Sequence, residues 1–230
     1  MRPRGRFGLN SGRFAISPRF VQDAPVTNTT DPESTTDPVR FARRFYSAII
    51  TVDEVLHRRN IVIDPDTGEF VAALPPSLED AESVVLHVPD ESRESLQLMA
   101  ECRSLDANRD AACDRLLIYH GRAEGAKFVA MRPIDVKWAL GTVQIENFLL
   151  SNPLAKEEPR LCRLLNADTD ALGALVLKLS GRSTIEPKAV GVDALGLDVR
   201  TRTGVARVEF AGPVTPQDVL PTIEAWMRKS

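Results

Sequence analysis

From residue 60 to residue 150 the chain returns again and again to strand-like apolar patterns, and this succession of strand after strand constrains its fold most. "NIVIDPDTGEFVAAL" sets two β-branched or aromatic runs around Asp-Pro-Asp-Thr-Gly, which predicts a hairpin with a loop longer than two residues. "SVVLHVPD" and "ESLQLMAECRSL" predict two further strands, with Leu96, Leu98 and Ala100 sharing a face. "AKFVAMRPIDVKWAL" predicts a long strand interrupted near Pro133, with Phe128, Ala130, Ile134, Val136 and Trp138 on one side. "GTVQIENFLL" continues the sheet. Only "LDANRDAACDRLLIYHG" changes to a helical period, with Asp106 as its N-cap, Ala112, Leu116 and Tyr119 inward and Gly121 at its end. "DPVRFARRFYSAI" reads as a lead-in helix, capped by Asp37 and opened by Pro38, with Phe41, Phe45 and Ile49 four residues apart. Strands that follow strands without regular βαβ alternation predict a β-barrel or meander.

The pattern breaks at "SNPLAKEEP", a polar, proline-bearing linker whose acids Glu157 and Glu158 read as solvated. Beyond it lie one helix in "EPRLCRLLNADTDALGALVLKLSG", with Leu164, Leu165, Leu172, Leu175, Val176 and Leu179 packed along it, and strands in "KAVGVD", "GLDVRT" and "VARVEF". "TPQDVLPTIEAWMRKS" closes the chain as a helix capped by Thr215. The expected organisation is a disordered tail over residues 1–37, a barrel domain over 38–150, a linker over 151–157 and an α-β-β-β-α domain over 158–230. The fold class is therefore α+β.

Composition narrows the function classes. Lys plus Arg number 29 against 32 Asp plus Glu, a net charge of −3, so no global basic field argues for a nucleic-acid partner. No apolar run approaches the roughly 18 residues that span a bilayer, and no secretory apolar stretch stands at the N-terminus, so a cytoplasmic protein is expected. Cys102, Cys113 and Cys162 form no C-x-x-C pair and read as buried thiols. His57, His87 and His120 lie on separate segments, so any metal site must be assembled by folding. There is no G-x-S-x-G, and "GRAEGAK" is too short for a dinucleotide or P-loop fingerprint.

Three segments in order, "AKFVAMRPIDVKWALGTVQ", "NPLAKEEPRLCRLLNADTDAL" and "AVGVDALGLDVRTRTGVARVEFAGPVTPQDV", carry a resemblance. The chain resembles the haem-utilisation branch of the FMN-binding split-barrel proteins, relatives of pyridoxamine 5'-phosphate oxidase. In that branch a small C-terminal α+β domain opens on a helix that starts with an Asn-x-Asp-His-x-Asp-Ala pattern. Here Asn166, Asp168, Asp170 and Ala171 match, and Thr169 replaces the histidine. The match is good over residues 105–230 and extends over 38–104 in element order only. It implies a six-stranded split barrel, a homodimer, and a ligand at the subunit interface, where members bind flavin mononucleotide, haem or neither.

The resemblance and the donor chemistry together nominate the site residues. Haem needs an axial donor and basic partners for its propionates, which points to His120 and His87 as iron ligands. A flavin phosphate needs charge-assisted donors, for which Arg93, Lys127 and Lys137 are available, although Asp90, Glu91 and Glu94 crowd Arg93. In "KWALGTV" the chain keeps Lys137, Trp138 and Gly141 of the family's ligand-side segment but not its glycine-rich run. Trp138 is expected to line the ligand groove, its indole flat against the ligand. The leading expectation is a dimeric protein that binds haem or a related tetrapyrrole. The alternatives are an FMN-dependent oxidoreductase and a cofactor-free interaction or regulatory module.

Overall fold

A computed structural model describes residues 37–229 except 53, 76–82, 92–93, 122, 124–126, 139–140, 149 and 182. Helix α1 (Pro38–Arg43) starts as its sequence requires: the Asp37 carboxylate accepts from the amides of Val39 and Arg40 at 2.8 and 3.2 Å. It stops short of Ile49. The β-branched run Ile49-Ile50-Thr51-Val52 prefers extended backbone and enters β1 (Ser47–Val52), a strand that the four-residue spacing of Phe41, Phe45 and Ile49 conceals.

The strands β2 (Val55–Ile63), β3 (Phe70–Leu74), β4 (Ser83–Val88), β5 (Leu96–Ser104) and β6 (Lys127–Trp138) follow. Their order is β3-β2-β1-β4-β5-β6, and β3 also pairs with β6, so six antiparallel strands close into a barrel. The short β7 (Gly141–Val143) folds back on β6. Ile50, Phe70, Leu86, Leu96, Leu98 and Met131 fill the interior with no more than traces of exposure. The closed barrel is what the succession of strands predicts, and the α+β architecture is consistent with the split barrel that the resemblance implies.

The interruption at Pro133 has a definite form. Ala100 pairs with Pro133 and Met99 with Asp135, so the pairing skips Ile134, a β-bulge. The bulge inverts the alternation: Val129 and Met131 point inward before it and Val136 after it. Phe128 and Ala130 therefore do not share a face with Val136. They point outward, against α2 (Ala111–His120), whose Ala112, Cys113, Leu116 and Tyr119 cover the outside of β2, β3 and β6. The N-cap position of α2 belongs to Asp110; Asp106 instead closes the preceding turn by accepting from the Asn108 amide at 2.9 Å.

The single helix expected after residue 158 is two: α3 (Glu158–Leu165) and α4 (Thr169–Ser180). Between them Asn166 donates to the Ala189 carbonyl at 2.9 Å and accepts from the Ala189 amide at 2.8 Å, and Asp168 caps α4 through the Ala171 amide. The matched Asn and Asp positions thus hold a helix-helix corner against a strand. Leu165, Leu172, Leu175 and Val176 are buried, whereas Leu164 and Leu179 face outward because the break re-phases the helical face. Strands β8 (Lys188–Asp193), β9 (Gly196–Thr201) and β10 (Gly204–Glu209) form an antiparallel sheet, and α5 (Val219–Lys229) ends the chain. No described helix is long and apolar enough to cross a membrane.

Candidate functional site

Alternation on the barrel strands fixes which side chains face outward. Because Ala48, Ile50, Leu86, Val88, Leu96, Leu98 and Val136 fill the interior, the intervening residues of β1, β4, β5 and β6 line the outside. Cross-strand register sorts these into two rows. One runs Arg58, Ile49, His87, Gln97, Lys137. The next, two residues along each strand, runs Leu56, Thr51, Val85, Met99, Asp135.

The second row is mostly apolar over four adjacent strands of the curved barrel wall. It holds Leu56 at 52 % exposure and Met99 at 46 %, large side chains that a monomer leaves in water. The Thr51 hydroxyl oxygen on this row is buried yet has no hydrogen-bond partner among the described residues. In the first row His87 is half-buried. Arg58 and Lys137 stand two strands to either side of it along the curved barrel wall.

The other nominated residues lie elsewhere. His120, at the end of α2, is half-buried with its Nε2 3.0 Å from the Ile61 carbonyl oxygen, and burial lowers its pKa, so it is a neutral imidazole spent on the barrel wall. Trp138 packs against the barrel interior, its ring centroid 5.4 Å from that of Phe41, and its Nε1 donates to the Glu94 carbonyl at 3.2 Å. It therefore faces away from Lys137 and His87. Lys127 pairs with Leu74 at the opposite end of β6 from Lys137, roughly 30 Å along the strand, so one flavin phosphate does not meet both lysines. Arg93 lies outside the described residues. Of the six nominated residues, His87 and Lys137 share one cross-strand row on the outside of the barrel.

The thiols are inert. Burial pushes Cys102 and Cys113 up to about 11 and Cys162 up to about 12, far from thiolate at neutral pH. Among the described residues no three His, Cys, Asp or Glu side chains gather into a metal-holding group.

Sequence reasoning missed a buried polar cluster where the barrel meets the C-terminal sheet. Asp198 accepts from Tyr46 at 2.7 Å, Tyr119 at 2.8 Å and Arg207 at 2.7 Å. Asp193 accepts from Arg207 at 2.7 Å and Arg43 at 2.9 Å. Glu158 accepts both Arg115 Nη groups, at 3.0 and 2.9 Å, and the Val192 amide at 3.0 Å; far from being solvated, it is 5 % exposed. Burial, reinforced by Asp198, raises both tyrosines, so each phenol remains a donor. Three arginines balance three carboxylates, each carboxylate accepting from at least one of them, which is what lets a buried ionic cluster be tolerated, although the Arg115 Nε is buried with no hydrogen-bond partner among the described residues. Residues distant in sequence, such as Tyr46 and Asp198, carry no local signal of meeting.

Burial alone would raise the Asp193 pKa, but the Arg207 and Arg43 guanidiniums outweigh it and hold the carboxyl below its usual range. Its contribution to stability is therefore fully present above about pH 4 and is lost as the pH falls through the lower folded value. Glu158 acts in the opposite sense: burial raises it despite Arg115, so its protonation in mild acid favours the fold. Denaturant unfolding of the native chain and Asp193→Asn should differ most at neutral pH and converge as the pH drops from about 4 toward 2. A difference independent of pH would contradict this origin.

No family model matches the chain, and no curated protein is significantly similar to it. Solved structures are. A protein of unknown function from Agrobacterium tumefaciens str. C58 superposes with a TM-score of 0.68 at 16 % identity, over 92 % of this chain and 100 % of that one. A haem-binding protein from Mycobacterium smegmatis aligns over 87 % of this chain and 98 % of its own at 17 % identity, but its TM-score of 0.38 is too low to carry an argument. The first of these likenesses shows the fold, barrel and C-terminal unit together, in a solved protein.

Proposed function

We propose that this chain is a homodimeric split-barrel protein of the haem-utilisation type, which holds haem or a related tetrapyrrole on the outer face of β1, β4, β5 and β6. The observation that carries the reading is His87, a half-buried imidazole beside a four-strand apolar row, with no hydrogen-bond partner among the described residues. An imidazole left without a partner at the border of an apolar surface has the chemistry of an axial ligand, and the apolar row suits the flat body of a macrocycle. The Thr51 hydroxyl adds an unsatisfied polar atom to the same row. A second copy laid on this face would cover Leu56 and Met99 and enclose the ligand.

Two measurements on the full chain test the reading. Light scattering should give about twice the 25.3 kDa chain mass at micromolar concentration, and Leu56→Asp should shift it toward the monomer. Haemin titration should give a saturable Soret shift. A native monomer would overturn the dimer, and an unresponsive spectrum would overturn the ligand. Flavin bands in the purified protein would favour the oxidoreductase reading instead.

A further inference from the structure

We infer that the groove between α4 and the segment 183–188 of the C-terminal unit is a site for a free α-amino acid with an apolar side chain. This site is separate from the outer barrel face, and it stands or falls independently of the tetrapyrrole reading.

Leu172, Leu175 and Val176 turn one side of α4 into the core of the C-terminal unit. Asp170, Gly173, Ala174 and Leu177, spaced i, i+3, i+4, i+7, form a second side, and this one borders a cavity of about 770 Å³ whose opposite wall runs from Ser183 to Lys188. A volume of that size suits a small molecule. Three observations mark the groove as built to be filled. Gly173 sits mid-helix, where glycine is disfavoured, although an added Cβ would meet only ordinary contacts, 3.6 Å from Pro187 and 3.9 Å from the Thr184 hydroxyl. The Thr184 hydroxyl oxygen is buried with no hydrogen-bond partner among the described residues; Thr184 also lines the cavity, so a change of rotamer would offer that hydroxyl to an occupant. Glu186 holds a left-handed backbone at φ 54°, strain of the kind that gathers at ligand clamps. The walls then select the occupant. Leu177, 49 % exposed, supplies apolar surface at one end. Asp170 stands at the other end, about 10 Å away along the helix, and Lys188 joins it there because the next residue, Ala189, is hydrogen-bonded to Asn166 just before α4. Glu186, two residues before Lys188, adds a second acid. All three charges are exposed, with no ion-pair partner among the described residues. Acids and a base at one end match an ammonium and a carboxylate borne on one carbon, and the side chain of the amino acid then runs toward Leu177.

Calorimetric titration of the full chain with L-phenylalanine, phenethylamine and hydrocinnamate tests this, since each analogue keeps the aromatic body and drops one head charge. L-Phenylalanine should bind saturably at millimolar concentration, and each analogue at least roughly fivefold more weakly. Lys188→Met should weaken L-phenylalanine and leave phenethylamine unchanged. Asp170→Asn should weaken both of these and leave hydrocinnamate no weaker. Gly173→Ala separates a ligand site from a merely structural groove: the melting temperature should rise by roughly 1–4 °C, as glycine-to-alanine in a helix predicts, while L-phenylalanine affinity falls at least roughly fivefold because the new methyl group occupies the groove floor. An absence of saturable binding, equal affinity for the three compounds, or a Gly173→Ala chain that binds like the native one would overturn the inference. Haemin takes no part in this titration, so a failure here leaves the tetrapyrrole reading as it was, and an unresponsive Soret band leaves this site as it was.

Discussion

Replacing Arg207 with methionine is expected to destabilise the folded chain by about 3–5 kcal/mol, the range for removing one partner of a buried ionic pair. The side chain is 4 % exposed and donates to two carboxylates, Asp193 and Asp198, each at 2.7 Å. Methionine fills much of the volume, so the loss comes from charge rather than from a cavity. Asp198 keeps its two tyrosine donors, and Asp193 keeps Arg43, but both anions lose their nearest cation. The double variant Arg207→Met/Asp198→Asn should then be less destabilised than the sum of the single changes, because the second removes one of the stranded charges. Chemical denaturation of the four chains reads this directly. Strict additivity would mean that Arg207 and Asp198 do not act as a pair.

Gly191→Ala should be nearly as damaging for a different reason. A Cβ built on Gly191 of β8 would lie 1.9 Å from the Tyr119 hydroxyl and 3.1 Å from Arg115 Nη2 and Asp198 Oδ2. The Tyr119 ring is buried, held by Asp198 and under the Arg115 guanidinium, 4.9 Å from its centroid, so it has no open space to move into. Overpacking costs roughly 1–3 kcal/mol, and displacing a hydroxyl from a buried carboxylate adds about 1.5–3 kcal/mol. Tyr119→Phe removes the oxygen that the new methyl would strike. The pair Gly191→Ala/Tyr119→Phe should therefore melt above Gly191→Ala alone, and a double variant melting below it would show that the clash lies elsewhere.

The fold was legible wherever the apolar period was local. Leu96, Leu98 and Ala100 alternate without interruption, and they face the barrel interior as read. β1 was hidden because Phe41 and Phe45 sit at helical spacing to Ile49, and the boundary between the two periods falls inside that run. At Pro133 the interruption was visible, but its consequence was not: a one-residue bulge inverts every side chain that follows. The site was less legible. His87 and Lys137 could be nominated by residue chemistry, yet the row that joins them to Arg58 exists only through the pairing of five strands, β2, β1, β4, β5 and β6. Glu158 misled for a similar reason. Its neighbours in sequence are polar, and its partner Arg115 lies 43 residues away on α2.

His87 as the ligand-holding imidazole is tested most directly by titrating haemin into the native chain, His87→Ala and His120→Ala and following the Soret band. His120 is spent on the Ile61 carbonyl, so its removal should leave the shifted spectrum and the affinity close to native. Removing His87 should abolish the native Soret position and weaken binding by at least roughly tenfold. A His87→Ala chain that reproduces the native spectrum and affinity, or a loss that follows His120 instead, would contradict the assignment of the outer barrel face as the site.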